Sequence, residues 1–273
     1  MRIVILASSI YSETSCAAAV RLADAGFAPV GALTLSTWNA KTLLRKARQW
    51  GVGDAARYAR SKIAPERSSA YRLRNSYLNP LLHRDGNLFR NLRQVASAYN
   101  FPVATCGDQN APSSVAQLRR WAPDLMIFTG GNILRQPLLA VPRLGVLNAH
   151  LGLLPEIRGM SSPEWSLLTG FPAGVTIHYM DAGIDTGPIL RRCELPDAHV
   201  CSSLADLRNR LIAFGIEKIA EVVSALEAGK IAATPQPETN GRARPFFVMH
   251  ELLQARAAKR GVGRPAPAET VSA

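Results

Sequence analysis

The chain has 273 residues, of which 47% are hydrophobic and 19% are charged, and its formal net charge is +12 at pH 7. This balance is typical of a folded globular protein and excludes a disordered chain. The sequence has no apolar run of membrane-spanning length and no His, Cys or carboxylate cluster with ligand spacing, so we predict neither a membrane span nor a metal site. The four widely spaced cysteines are typical of reduced thiols and predict a cytoplasmic protein.

The first part of the chain predicts an α/β fold. Residues 3–7 read as a buried strand, residues 14–25 as a helix that ends at Gly26, and residues 29–35 as a second strand. A β-α-β opening is typical of a doubly wound, mostly parallel sheet. No G-x-G-x-x-G turn follows the first strand, which argues against a dinucleotide-binding domain.

A basic segment interrupts this pattern at residues 38–95. It holds thirteen lysines and arginines against three aspartates and glutamates, a net charge of +10. Lys41, Arg45 and Arg48 share one helical face, so part of the segment is predicted to be an amphipathic helix. The charge fits either an attraction for phosphate-bearing partners or a solvated helical face, and the sequence leaves both open.

The sheet pattern resumes after the basic segment. We predict strands at residues 102–105, 124–128, 144–147, 175–179 and 191–195, and helices at residues 113–121, with Ser113 as N-cap, and 203–227. We therefore predict a catalytic domain at residues 1–235 with the basic, partly helical insertion at 38–95. A C-terminal extension at 236–260 and a disordered tail at 261–273, rich in Gly, Pro and Ala, complete the chain.

Three polar residues stand at predicted strand ends or in a glycine-rich turn. Asn148 and His150 are two residues apart, so their side chains project from the same face of an extended segment. Asp185 follows in the tight loop after the strand at 175–179. An amide, an imidazole and a carboxylate together can stabilise a developing oxyanion and accept a proton, as acyl transfer requires.

These residues resemble the folate-dependent formyltransferases, a family that includes glycinamide ribonucleotide, methionyl-tRNA and amino-sugar formyltransferases. The shared pattern is Asn-x-His, a Leu-Pro loop with Arg-Gly, and a later Asp-x-Gly. Here it stands as Asn148/His150, Leu154-Pro155 with Arg158-Gly159, and Asp185-Thr-Gly187. Three motifs in order are a specific signal, whereas one alone is weak.

The resemblance implies roles for individual residues. Asn148 and His150 would donate hydrogen bonds to the formyl oxygen of 10-formyltetrahydrofolate, and Asp185 would orient His150 and relay protons through water. The pterin pocket would be lined by Gly130, Asn132, Ile133, Leu134 and Asp181. Arg158 would bind an anionic substrate or brace its own loop. His178 is interpreted as a core or pocket-wall histidine.

The sequence indicates the acceptor of the formyl group less specifically than it indicates the family. Pro163-Glu-Trp165 is similar to a segment of amino-sugar formyltransferases, which favours a nucleotide-linked amino sugar held in part by Trp165, although Trp165 also fits plain core. Hydroxyornithine, glycinamide ribonucleotide and methionyl-tRNA are the alternative amines, and a formyltetrahydrofolate hydrolase or a nucleic-acid-binding protein without this chemistry are the alternative classes. From the short stretch of chain after Leu190 we expect the further barrel of methionyl-tRNA formyltransferases to be missing, and this expectation disfavours a nucleic acid partner. A homodimer is left open.

Overall fold

The computed structural model describes residues 1–36, 75–84, 86–237 and 245–261. The chain divides into two compact units, Met1–Arg143 and Leu144–Ala273. Most of the basic segment at 38–95, with the helix predicted around Lys41, lies outside the described residues. The same holds for the tail beyond residue 261. The predicted catalytic domain, extension and tail stay predictions.

The first unit contains a sheet of parallel strands. These strands are β1 (Ile3–Ala7), β2 (Gly31–Leu35), β5 (Val103–Cys106) and β6 (Leu125–Phe128), and a separate two-stranded hairpin is formed by β3 (His83–Arg84) and β4 (Asn87–Leu88). Within the unit the strand order is β5-β2-β1-β6, and each neighbouring pair is parallel. The chain thus moves outward from β1 first on one side and then on the other, and the predicted doubly wound α/β class is confirmed.

Strand β1 is an inner strand of this unit, and its composition suits that place. All five of its residues are fully buried, as a run of Ile, Val and Leu in a parallel sheet should be. Removing each large side chain from water contributes about 1.5–3 kcal/mol. The strand predicted at residues 29–35 begins later, at Gly31, because Pro29 lacks the N–H that a ladder needs.

Five helices occur in the described part of the first unit. They are α1 (Glu13–Asp24), α2 (Asn79–Leu82), α3 (Leu92–Tyr99), α4 (Pro112–Trp121) and α5 (Gln136–Leu139). Ser12 caps α1 by accepting the Ser15 N–H. The prediction that Ser113 caps α4 is wrong: Pro112 is already the first helical residue, and the cap position is Ala111. A proline is favourable there because its missing N–H has no helical partner to lose.

The second unit carries antiparallel strands. These are β7 (Gly145–His150), β8 (Gly174–Tyr179) and β9 (Ile189–Glu194). In the β7–β8 pair Asn148 lies opposite His178 and His150 lies opposite Thr176. The β8–β9 pair shifts register between Ile177 and His178. Such an irregularity re-aims side chains, and here it falls beside the strand ends that carry the polar residues.

The described part of the second unit contains three α-helices: α6 (Ser162–Thr169), α7 (Leu204–Glu227) and α8 (Glu251–Gly261). The helix predicted at residues 203–227 is present as α7, and its buried Leu207 and Leu211 cluster with Val175 of β8 and Leu195. The helix therefore holds the strand that carries His178. In the described part of the chain, no helix combines the length and the apolar character needed to cross a membrane.

Candidate active site

The end of β7 places Asn148 and His150 on one face of the strand. They are two residues apart in an extended segment, and β8 runs directly beside both of them. His150 is 6% exposed, whereas Asn148 is half-buried. The predicted common face is therefore present, with one buried ring and one amide that solvent reaches.

The protonation of the His150 ring follows from its hydrogen bonds. Its Nε2 lies 2.7 Å from the carbonyl oxygen of Ile157, and the Ser162 hydroxyl oxygen lies 3.2 Å away from the same nitrogen. A carbonyl oxygen only accepts, so Nε2 carries a proton and donates it to Ile157. The other nitrogen, Nδ1, is then the one that faces the reaction site.

Asp185 supplies the carboxylate that faces this nitrogen. Its Oδ2 lies 3.4 Å from Nδ1 of His150 and accepts the Gly159 N–H at 2.9 Å. The 3.4 Å separation is longer than an ordinary charge-assisted hydrogen bond. The second oxygen, Oδ1, accepts no hydrogen bond from the residues that the structure describes; its neighbour is Nε2 of His178 at 3.7 Å.

His178 is a fourth member of this cluster. Its side chain is 1% exposed, and its Nδ1 lies 2.8 Å from the Tyr179 carbonyl oxygen. The pKa of His178 is lowered to about 4: burial is the main cause and the neighbouring His150 adds to it, against the opposing effect of Asp185. The ring is therefore neutral at pH 7, with its proton on Nδ1 and a lone pair on Nε2.

The lone pair of His178 orients the Asn148 amide. Nδ2 of Asn148 lies 3.3 Å from Nε2 of His178, and only a donated N–H satisfies that contact. One N–H of Asn148 is thus committed to His178, which leaves the other for a ligand. The sequence interpretation of His178 as a wall histidine missed this contact because the residue lies opposite Asn148 only once the two strands pair.

The loop that carries Asp185 is held by local hydrogen bonds. Oδ1 of Asp181 accepts from the Gly183 N–H at 3.0 Å and from the Thr186 hydroxyl at 2.7 Å. A side chain at Gly187 would put its Cβ 1.8 Å from the Tyr179 carbonyl oxygen, so this position admits only glycine. Asp181 closes the turn and Gly187 permits the close approach; the pterin contact of Asp181 stays a prediction.

Arg158 and Trp165 both contact the C-terminal part of the second unit. The Arg158 guanidinium donates from Nη2 to Oε1 of Gln236 at 2.6 Å and from Nε at 3.2 Å. The Trp165 ring stacks on Phe246 with centroids 4.7 Å apart, and its Nε1–H donates to the Phe247 carbonyl oxygen. These contacts brace loops, and substrate binding by either side chain stays a prediction.

The residues predicted to line a pterin pocket in the first unit form one loop after β6. Gly130 and Asn132 are half-buried, Ile133 is 84% exposed and Leu134 is 4% exposed. The fully buried Gln109 holds this loop, because its Oε1 accepts the Asn132 N–H and its Nε2 donates to the Ala7 carbonyl oxygen. Cofactor contacts of the four loop residues stay predictions.

Several site residues carried no usable sequence signal. Ser162, which contacts His150, stands in an ordinary Ser-Ser-Pro helix start, and Gln236 is distant from Asp185 in the chain. Gln109 stands in a polar turn. In the described ranges no three His, Cys, Asp or Glu side chains are arranged to hold a metal ion.

The chain is similar in sequence to known formyltransferases. The family model described as formyl transferase matches residues 88–223. Methionyl-tRNA formyltransferase of Pelobacter propionicus is 34% identical over 151 residues, which cover 54% of this chain and 47% of the relative. The same enzyme of Koribacter versatilis is 38% identical over 154 residues, covering 55% of this chain and 49% of the relative. The chain thus spans about half the length of the curated relatives that it matches.

A solved structure agrees with the fold over a longer stretch. Glycinamide ribonucleotide transformylase 1 from Symbiobacterium toebii superposes with a TM-score of 0.56 at 18% identity, and the match covers 87% of this chain and 94% of that one. At this identity the similarity concerns the α/β fold alone. The solved structure therefore supports the fold, whereas the family model and the curated relatives are the matches that bear on the family.

Proposed function

Because the chain belongs to the formyltransferase family, whose members are enzymes that use formyltetrahydrofolate, we propose that it transfers a formyl group from 10-formyltetrahydrofolate to a primary amine. The observation that carries the proposal is the pairing of Asp185 with Nδ1 of His150 at 3.4 Å, beside the oriented amide of Asn148. A carboxylate, an imidazole and an amide are the groups that acyl transfer to an amine requires.

Two donors of this site fit the oxygen of a formyl group. One is the second N–H of Asn148, and the other is Nδ1 of His150 when that nitrogen carries a proton; both residues belong to the strand end at residues 148–150. Each such donor lowers the barrier because it is already oriented before the reaction starts.

Asp185 fits the role of proton acceptor. Its Oδ2 is engaged by Gly159, while Oδ1 accepts no hydrogen bond from the described residues. When the amine nitrogen bonds to the formyl carbon, it must lose a proton, and Oδ1 takes that proton through a water. The same proton then returns to the leaving nitrogen as its bond to the formyl carbon breaks. Atoms and charges balance, with a formamide and tetrahydrofolate as products.

For the acceptor we propose the amino group of a nucleotide-linked amino sugar. The support is the Pro163-Glu-Trp165 segment at the start of α6, which resembles that of amino-sugar formyltransferases. The Trp165 ring is half-buried, with one face on Phe246. An anionic acceptor of this kind also suits the net charge of +12.

Methionyl-tRNA is the second candidate acceptor. The observation that favours it is that the curated relatives at 34% and 38% identity are named methionyl-tRNA formyltransferases. The excess of positive charge also suits a nucleic acid.

The test is release of tetrahydrofolate from 10-formyltetrahydrofolate by the purified protein. The protein is assayed alone, with nucleotide-linked amino sugars, and with methionyl-tRNA, and each assay is repeated with Asn148→Ala. Release of tetrahydrofolate that requires the sugars and disappears in the variant supports the proposal. Release only with methionyl-tRNA would mean that methionyl-tRNA, and not an amino sugar, is the acceptor. Release without any amine identifies a hydrolase, and silence with every acceptor, hydroxyornithine and glycinamide ribonucleotide included, contradicts the transferase. Cytoplasmic location and a homodimer stay predictions.

A further inference from the structure

The loop that carries Asp185 needs support from outside itself. Asp185 has a φ of +53°, a left-handed conformation that is uncommon for a residue with a side chain. The residues before it, at positions 181–184, are all exposed. The hydrogen bonds that Asp181 accepts from Gly183 and Thr186 close the turn but do not reach the Asp185 side chain, so the support for its carboxylate must come from another part of the chain.

Gln236 reaches this loop from a distant point in the sequence. Its Nε2 donates to the carbonyl oxygen of Asp185 at 2.9 Å and to that of Gly187 at 2.7 Å. Both hydrogens of the amide are therefore used on the two residues that define the Asp-x-Gly motif. Thr234, two residues earlier, pairs with Ile189 through two backbone hydrogen bonds of 2.8 Å, which brings Gln236 to the loop.

The oxygen of the same amide connects to a second loop. Oε1 of Gln236 accepts two hydrogen bonds from Arg158, and the next residue, Gly159, donates its N–H to Oδ2 of Asp185. A closed ring of contacts results, in which Gln236 holds the backbone of Asp185 and the Arg158-Gly159 loop holds its carboxylate. Reversing the amide would set its oxygen against two carbonyls and its NH2 against a guanidinium, so the network admits one orientation.

We propose that Gln236 is a positioning residue that sets the Asp185 carboxylate against His150; this inference rests on the proposed function only for its kinetic consequence. Both N–H groups of Gln236 are used on Asp185 and Gly187 and its oxygen is used by Arg158, so Gln236 acts through the two loops that these residues belong to. A displacement of about 1 Å in a reacting group can cost about 10²-fold in rate. Loss of Gln236 therefore acts on turnover more than on binding.

The test compares Gln236→Glu with Gln236→Met. The first keeps an oxygen for Arg158 but replaces both donated hydrogen bonds with repulsion between oxygens, and the second removes all polar contacts at similar length. Gln254→Glu is the matched control, because its Nε2 also donates to a backbone carbonyl, that of Met249 at 2.9 Å, without contacting Asp185. Thermal unfolding is measured first, to establish that each variant is folded. If Gln236→Glu does not fold, the test rests on Gln236→Met alone.

Two readouts separate this proposal from the proposed function. In the first, the ring-proton NMR signals of His150 and His178 shift in the Gln236 variants, whereas those of His83, His199 and His250 do not; this readout needs no substrate. In the second, kcat falls by about 10–10²-fold with KM for the formyl donor changed by less than about threefold. Unmoved signals of His150 and His178, or an unchanged kcat in a folded Gln236 variant, overturn the proposal. A wild-type protein without transferase activity contradicts the proposed function but leaves the NMR comparison decisive.

Discussion

Asn148 and His178 face each other across β7 and β8, and Nδ2 of the asparagine lies 3.3 Å from Nε2 of the histidine. The contact requires a neutral imidazole, since an imidazolium has no lone pair to accept the amide N–H. Burial provides that neutrality by holding the pKa of His178 far below its ordinary value of 6.5. The orientation of the amide in the site is therefore tied to the protonation state of a residue behind it.

His178 should make the folded state sensitive to acid. Its folded pKa of about 4 lies below the ordinary value of 6.5, so between these values the unfolded chain binds a proton that the folded chain does not. The free energy of unfolding then falls as the pH drops through this window and levels off below it. In His178→Gln the fall should be smaller, as measured by urea unfolding at about pH 7 and about pH 5.

The exposed His83 provides the control for this experiment, because His83→Gln changes the same chemical group outside the site. We expect His83→Gln to keep the pH dependence of the wild type. An equal pH dependence in wild type and His178→Gln would show that His178 is not held neutral.

Removal of the Asn148 amide should abolish most of the formyl transfer. Asn148→Ala deletes a donor that is oriented before the reaction, and the loss of one such donor costs about 10²–10³-fold in rate. The residue is half-buried, so the variant should stay folded. The measurement is kcat with 10-formyltetrahydrofolate and the best acceptor. Ser224→Ala, which removes one hydroxyl on α7, is the control and should keep wild-type turnover. Near-normal turnover in Asn148→Ala would show that Asn148 is not a catalytic donor.

The rate of formyl transfer should depend on the charge of Asp185 rather than on the shape of its side chain. Asp185→Asn keeps the size of the side chain but cannot accept a proton, and the loss of such a group costs about 10²–10⁴-fold in rate. Asp181→Asn is the matched comparison, since it keeps the oxygen that closes the turn with Gly183 and Thr186. Single-turnover rates for the two variants decide the point. If Asp181→Asn is the more damaging change, the assignment of the proton acceptor to Asp185 is wrong.

The sequence predicted what depends on local pattern. The strands at β1 and β6, the helix α7 and the common face of Asn148 and His150 all follow from periodicity within a few residues. What it missed depends on pairing between distant segments. His178 contacts Asn148 only through strand register, and Gln236 contacts Asp185 only after the chain has passed through β9 and α7. No local signal at either residue reveals its partner.

The loop after β6 should depend on Gln109. This side chain is fully buried, and Gln109→Leu would leave the Ala7 carbonyl and the Asn132 N–H without their partner. An unsatisfied buried polar group costs about 1–3 kcal/mol of stability. We also expect a higher KM for the formyl donor, because Asn132 belongs to the predicted pterin loop. Urea unfolding and initial rates measure the two effects.

The half-buried Gln117 on α4 serves as the comparison for Gln109, since its Oε1 accepts a hydrogen bond from Arg120 and lies outside that loop. Gln117→Leu should change neither stability nor KM by more than a small amount. A Gln109→Leu protein as stable as Gln117→Leu would show that the loop does not need the buried amide.

Gly187 should tolerate no side chain. A Cβ at this position would lie 1.8 Å from the Tyr179 carbonyl oxygen, and because this obstacle is backbone, the loop itself must move. Gly187→Ala should therefore displace Asp185 and lower kcat by about 10²-fold, the effect expected for a misplaced catalytic group. Gly107→Ala is the matched control, because a Cβ there meets nothing within 4 Å. Stopped assays of both variants, with the His150 and His178 ring signals as a structural check, test this. Wild-type turnover in Gly187→Ala would mean that the close approach of the Asp-x-Gly loop to β8 is not needed for the reaction.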